Sequence, residues 1–381
     1  MKKTILYILL AMAVSACIYP YEAELEGEVP ERLVVSGDIL IGEEFRIDLG
    51  YVMPLSADVN KTRSAPSDAV LTVENDRGKS FPGQPVGDGG FLVDMTSAPD
   101  AARYRFNVRL ADGREYSTPW ESVNQAPIIT GLSYDYDDDY LYLTCSLNGR
   151  DSNRNYRLDY DEVWEYHAHF MPDLIYEDGK YEIKNRFKDY YYCWNSRSST
   201  EPYIASAESL SKNRVKDCNF LSIKCTDDRL NQLYSIQLKA SSITSAAKVY
   251  LEHLHSLSGS TGDLFTPTPS EMRGNVSCTT NPDEQVVGYV SVCRRAFKRI
   301  FINTENIYRY PVNPESLLFY PEPDEEGNYN LEGLFKYCSP VFFEPPVPTA
   351  TNVQWGLKRC VDCRAWGGTK TKPEWWPNDD E

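Results

Sequence analysis

The chain has 381 residues and a formal charge of −17. A surface this acidic repels phosphate backbones, which excludes a nucleic-acid-binding role. The length exceeds what one compact core usually holds, so two domains are expected, and the 27 tyrosines favour strands over helices.

The first elements are targeting signals. Lys2 and Lys3 precede an unbroken apolar run, Ile5 to Val14. About ten such residues suit the hydrophobic region of a secretion signal, whereas a spanning helix needs about twenty. Val14-Ser15-Ala16-Cys17 then matches a bacterial lipobox, in which the cysteine is acylated after cleavage. Residues 1–16 are therefore read as a lipoprotein signal peptide and Cys17 as the lipidation site, palmitate included. The mature protein is anchored to a membrane and does not span it. Cleavage removes Lys2 and Lys3 and leaves a charge of −19. Residues 17–32 carry Glu22, Glu24, Glu26, Glu28 and Glu31 and read as a solvated tether. An acidic lead directly after the anchor resembles the surface-export signal of Bacteroidota lipoproteins, which implies an outer-membrane, cell-surface location.

From Leu33 the pattern is β. Strands are expected at Leu33–Leu40, Glu44–Leu49, Ala69–Glu74, Phe91–Met95, Tyr104–Leu110 and Arg114–Ser117, with turns at Asn75-Asp76-Arg77-Gly78 and Asp112-Gly113. Short strands and frequent turns over residues 33–120 suggest an immunoglobulin-like β-sandwich. Pro119 to Pro127 reads as a hinge. Residues 126–381 form a larger β-rich domain, with strands at Ile128–Tyr134, Tyr140–Leu147, Tyr156–His169, Leu221–Lys224, Leu233–Ala240, Gln285–Val292 and Phe297–Ile302. One main helix is expected at Thr244–Leu257, with Ala247, Tyr250, Leu251 and Leu254 on one face, a cap at Ser242 or Thr244, and a stop at Gly259 and Gly262.

Ten cysteines are present, and none lies between residues 18 and 144. With Cys17 assigned to lipid, nine remain, and an oxidising compartment favours their pairing. This implies a cysteine-free first domain and a cross-linked second one. Cys360-Val-Asp-Cys363 has the spacing of a redox pair, half a zinc site or a structural element. No second Cys-x-x-Cys exists and its surroundings are irregular, so structural disulfides are favoured, with partners that spacing does not reveal.

Catalytic patterns are sparse, and an enzyme is not expected. His167 and His169 would share one face of a strand, whereas His253 and His255 diverge on a helix; aromatic packing is the expected role of all four, and no metal or cofactor is assigned. Asp135, Asp137 and Asp139 begin like a calcium loop, but Tyr140 stands where glycine is required and Ser146 where the last glutamate should be. Glu162 and Glu165 are two carboxylates among many. Tyr190 to Tyr192, Trp194, Trp375 and Trp376 are candidates to stack on sugar or peptide ligands.

Several short motifs, in order, resemble a known family. They are Cys17 with its acidic lead, Leu33-Val34-Val35-Ser36-Gly37, Cys193-Trp194, and Tyr234-Ser235-Ile236-Gln237-Leu238 before the helix with Tyr250-Leu251. Gly274-Asn275-Val276, Val287-Gly288-Tyr289-Val290, Cys360-Val361-Asp362-Cys363-Arg364, Gly367-Gly368-Thr369 and Lys372-Pro373 follow. Together they resemble the Bacteroidota lipoproteins of domain of unknown function 4249 across nearly the whole mature chain. The resemblance implies an outer-membrane lipoprotein with an immunoglobulin-like N-terminal region, acting as a non-enzymatic accessory or binding subunit beside a TonB-dependent receptor in nutrient uptake. A structural or assembly factor of the cell envelope is the alternative. Cys193, Cys360 and Cys363 are the candidate structural cysteines; Cys218, Cys225, Cys278 and Cys293 are not clearly family features.

Overall fold

Alternating apolar and polar residues build antiparallel strands through most of the chain, and the protein is mainly β with one long helix. The computed structural model describes residues 32–52, 66, 68–99, 103–177, 180–183, 191–259, 274–310, 317–327, 329, 331–345, 348–349 and 352–377. The expected signal peptide, Cys17 and the acidic lead up to Glu31 lie outside the described residues, as does Tyr190.

The first sheet runs in the order Leu33–Ser36, Glu44–Tyr51, Gly90–Asp94, Ser80–Gly87, Val70–Asn75, Arg103–Arg109, Glu115–Ser117 and Ser277–Cys278, with Glu121–Ser122 beside Arg103–Arg109. It curls so that Val35, Ile47, Val73, Val93 and Phe106 share one core. The turn after Val70–Asn75 forms as its sequence predicts: Asn75 Oδ1 accepts the backbone N–H groups of Arg77 (3.1 Å) and Lys79 (2.8 Å). The single strand expected at Leu33–Leu40 is instead two, because Gly37 breaks it at φ 133° where a Cβ would stand 2.9 Å from the Arg46 carbonyl oxygen.

The core of this unit is completed from far along the chain. Ile39–Leu40 runs parallel to Val292–Cys293, Val34 bridges to Val287, and Val276, Val286 and Val290 join the first core. Of the strand expected at Gln285–Val292, only Val292 lies in a regular strand, Val292–Cys293. The remainder is an extended strap across the first sheet. The strap also carries Cys278 and Cys293 into the core that the sequence implied to be cysteine-free. Asn275 fastens it: its side chain donates to the Val290 carbonyl (2.9 Å) and accepts from the Val290 N–H (2.8 Å).

Gly274 is where this crossing is tightest, since a Cβ there would fall 1.6 Å from the Gly288 carbonyl oxygen. A Gly274→Ala variant is expected to lose about 1–3 kcal/mol, toward the upper end because the obstructing atom is backbone. The urea midpoint measures this; an unchanged midpoint would refute the close crossing.

The second unit pairs a three-stranded sheet (Ile128–Tyr136, Tyr140–Asn148, Arg214–Lys224) with a five-stranded one. The latter runs Tyr192–Ser198, Asn155–His167, Leu233–Ile243 and Arg295–Asn303, with Tyr203–Ser206 beside Asn155–His167. Leu141, Leu143, Leu158, Ile236 and Leu238 are buried between them. The helix spans Ser245–Gly259, and Thr244 Oγ1 caps it by accepting the Ala247 N–H at 3.2 Å. Ala247 and Tyr250 are buried as expected, whereas Leu254 is 44% exposed. A small sheet of Leu318–Phe319, Val353–Leu357 and Cys338–Phe343 closes around fully buried Trp355.

Glu208 holds the start of the helix through Ser245 Oγ (2.7 Å) and Lys248 Nζ (3.1 Å), and also accepts from Asn155 (2.9 Å). These donors, Asn155 first, pull its carboxyl from 4.5 down to about 2. A depressed carboxylate contributes stability above its unfolded value and loses it as pH falls toward the folded one. The melting temperature should therefore fall between pH 4.5 and 2, and Glu208→Gln should flatten that part of the profile. Identical slopes in both proteins would dismiss the anchor.

Candidate functional site

The five-stranded sheet opens at one end into a cleft of about 1250 Å³. Its walls come from the end of Asn155–His167, the start of Tyr192–Ser198, residues 231–233, the loop after Arg295–Asn303, and the C-terminal tail. Five aromatic side chains line it: Tyr192, Trp194, Tyr308, Tyr310 and Trp376. Edge-to-face contacts hold four of these rings. Tyr192 stands 4.5 Å from the His167 ring, Tyr308 4.8 Å from Tyr310, and Trp376 5.6 Å from Phe301. Tyr308 also donates its hydroxyl to Asp228 at 2.8 Å, and burial pushes that phenol well above its ordinary range. Tyr310 keeps half its surface in solvent.

Beneath the cleft lies a buried charge cluster. Glu162 is completely inaccessible and accepts from Arg229 (2.6 Å), Arg197 (2.8 Å) and the Tyr234 hydroxyl (2.6 Å). Arg229 is bound as well to Asp227 (2.8 Å). This cluster pins the turn Asp228–Leu230, and the next residue, Asn231, accepts the His167 N–H at 3.0 Å on the cleft floor.

The tail wall is held covalently. Cys193 and Cys363 form a disulfide across 170 positions of sequence. Beyond it, Trp194 and Thr369 exchange both backbone hydrogen bonds at 2.8 Å, which adds the tail to the open edge of Tyr192–Ser198. Lys370 Nζ then donates to the Tyr192 carbonyl at 2.6 Å. Gly368 permits the approach: a Cβ there would sit 2.7 Å from the Cys193 Cβ. The candidate structural cysteines thus divide, with Cys193 and Cys363 bonded and Cys360 a buried thiol. Burial raises the Cys145 thiol to about 12 and pushes Cys293 up further. A maleimide should therefore label Cys145 and Cys293 only after denaturant is added; rapid labelling of either in the native protein, read by peptide mapping, would contradict the packing.

Of the aromatic candidates, the structure brings together Tyr192, Trp194 and Trp376. Trp375 lies outside on the surface, with the Arg299 guanidinium 3.8 Å from its ring centre. His167 lines the cleft with Nε2 2.7 Å from Glu165 Oε1, while His169 turns onto Tyr166 and Tyr310, where burial lowers its basicity. Glu162 and Glu165, three apart in a strand, point to opposite faces, one into the ion cluster and one into the cleft. Asp137 Oδ1 accepts the N–H groups of Asp139 and Tyr140 at 2.8 Å, so the aspartate run is a self-bonded turn. His255 pairs with Glu201 (3.0 Å) on the helix surface. Tyr308 and Tyr310 were missed by the sequence reading; their only signal was two aromatic residues two positions apart after a strand.

The family model for a domain of unknown function (DUF4249) matches residues 18–299. The chain belongs to this family. The matched span ends before Tyr308, so the cleft loop and the tail wall, including the Cys360–Cys363 motif, lie beyond it. No curated protein matches the chain. Among solved structures, a candidate carbohydrate-binding protein from Bacteroides uniformis is 11% identical, covering 57% of this chain and 91% of its own, with a TM-score of 0.14. A DUF3823 family protein from Parabacteroides merdae is 9% identical, covering 56% and 92%, with a TM-score of 0.16. At these TM-scores neither likeness carries an argument.

Proposed function

We propose that this protein is a lipid-anchored binding subunit of the outer membrane, without catalytic activity, that captures a nutrient and works beside a TonB-dependent receptor. The observation that carries the binding reading is the cleft: rigid rings and free polar groups converge at one end of a sheet, held by a disulfide and a buried ion cluster. Fixed, concave, aromatic-lined surfaces are where small ligands are usually held. The lipobox reading of residues 14–17 supports the anchor, and the acidic lead supports exposure on the cell surface. The uptake role rests on the family resemblance.

The test is a mild-detergent pull-down of the tagged, lipidated protein from native membranes, read by mass spectrometry. Stoichiometric recovery of a TonB-dependent barrel is expected. Recovery of envelope assembly factors in its place would move the protein to the structural class, and recovery of the protein alone would sink the accessory role.

A further inference from the structure

We infer that the cleft takes a neutral oligosaccharide, an assignment that rests on the binding reading above and narrows it to one ligand class. The lining decides the class by what it offers and what it has already used. Among the described lining residues, Lys370 and Lys372 are matched by Glu165 and Glu305, so their formal charges cancel, and none of them is an arginine. An anionic ligand would find no guanidinium fork, and a cationic one no excess of carboxylate. Lys370 is further committed to the Tyr192 carbonyl. Apart from the aromatic rings, Leu233 and Pro377 are the apolar lining among the described residues, too little to hold an acyl chain.

A peptide is disfavoured on separate grounds. Extended peptides are commonly held by adding a strand to an open sheet edge. The edge that rims this cleft is already taken. Trp194 gives its N–H and carbonyl to Thr369, and the Tyr192 carbonyl receives Lys370.

What remains suits a pyranose chain. Sugar rings present apolar C–H faces and a perimeter of hydroxyls. The half-exposed Tyr310 and the neighbouring Trp194 offer flat faces for the first. Gln232, Glu305 and Lys372 line the cleft with side chains that make no hydrogen bond to the protein among the described residues, supplying donors and acceptors for the second. The volume, about 1250 Å³, exceeds the range of roughly 300–1,000 Å³ typical of drug-sized ligands, so several sugar units fit better than one.

The experiment uses the full-length lipidated protein in mild detergent on a microarray of neutral glycans, acidic glycans and short peptides, followed by calorimetry with the best probe. A neutral oligosaccharide is expected to bind saturably and to shift tryptophan emission, because Trp194 and Trp376 line the site. Tyr310→Ala should weaken binding at least tenfold with an unchanged melting temperature, and Tyr310→Phe should retain it. Binding confined to peptides or acidic glycans, lost in Tyr310→Ala, would overturn the ligand class and leave the binding cleft standing. If no probe on the array binds, the oligosaccharide assignment fails. Neither result touches the pull-down, so loss of the ligand class and loss of the receptor-associated role are read separately.

Discussion

A Cys363→Ser variant is expected to lose about 2–5 kcal/mol of stability, and with it the wall of the cleft. The disulfide closes a loop spanning 170 positions, so its absence releases a long segment in the unfolded chain, the regime where a cross-link has most entropy to remove. In the folded protein the same bond holds the tail so that Thr369 reaches Trp194 and Lys370 reaches Tyr192. Without it, those backbone and ammonium contacts, with Trp376 against Phe301 and Trp375 against Arg299, must order residues 364–377. Ligand affinity should therefore fall together with the unfolding midpoint. Cys193→Ser should behave identically, and the double variant no worse than either single, because all three break one bond. Single variants that melt within about 1 °C of the wild type would show that the tail holds itself.

Replacing Glu162 by alanine should cost about 3 kcal/mol, the lower end for breaking a buried pair, because Arg229, 13% exposed, loses one of its two carboxylates and keeps Asp227, while the buried Tyr234 hydroxyl loses its acceptor. The effect is asymmetric. Arg197 is 49% exposed and can turn to solvent, so Arg197→Ala should cost far less. A Glu162→Met/Arg229→Met pair should recover only part of the loss, since it removes both buried charges but leaves Asp227 and the buried Tyr234 hydroxyl without these partners. The cluster also fixes the turn carrying Asn231, so Glu162→Ala should weaken ligand binding beyond its effect on stability. A loss below about 1 kcal/mol in urea would mean that water reaches Arg229. These outcomes are read from urea unfolding and calorimetry on the same preparations.

The two interactions differ in how readily they show in sequence. Glu162 is one of 56 acidic residues, and nothing in its neighbours marks it as the buried one. Cys193 and Cys363 are visible as cysteines, yet Cys360 is equally visible and equally buried, and only the approach of Gly368 to Cys193 selects Cys363. The aromatic candidates followed a similar division. Tyr192 and Trp194 share one face because they alternate with Cys193 in the strand Tyr192–Ser198, a strand that the sequence analysis did not expect. Tyr308 and Tyr310 follow a strand in irregular chain, where no period indicates direction.

The sequence by itself determined the β class, most strand positions, the capped helix and the family, because each depends on residues near one another in the chain: alternation, turn chemistry and a cap. Tertiary structure alone decided that residues 276–293 return to complete the first core, that Cys363 and not Cys360 reaches Cys193, and that a tail beyond the matched family span forms a wall of the cleft. Those outcomes depend on contacts across more than a hundred positions, and such contacts are selected by shape and by the room a glycine leaves, which no local pattern encodes.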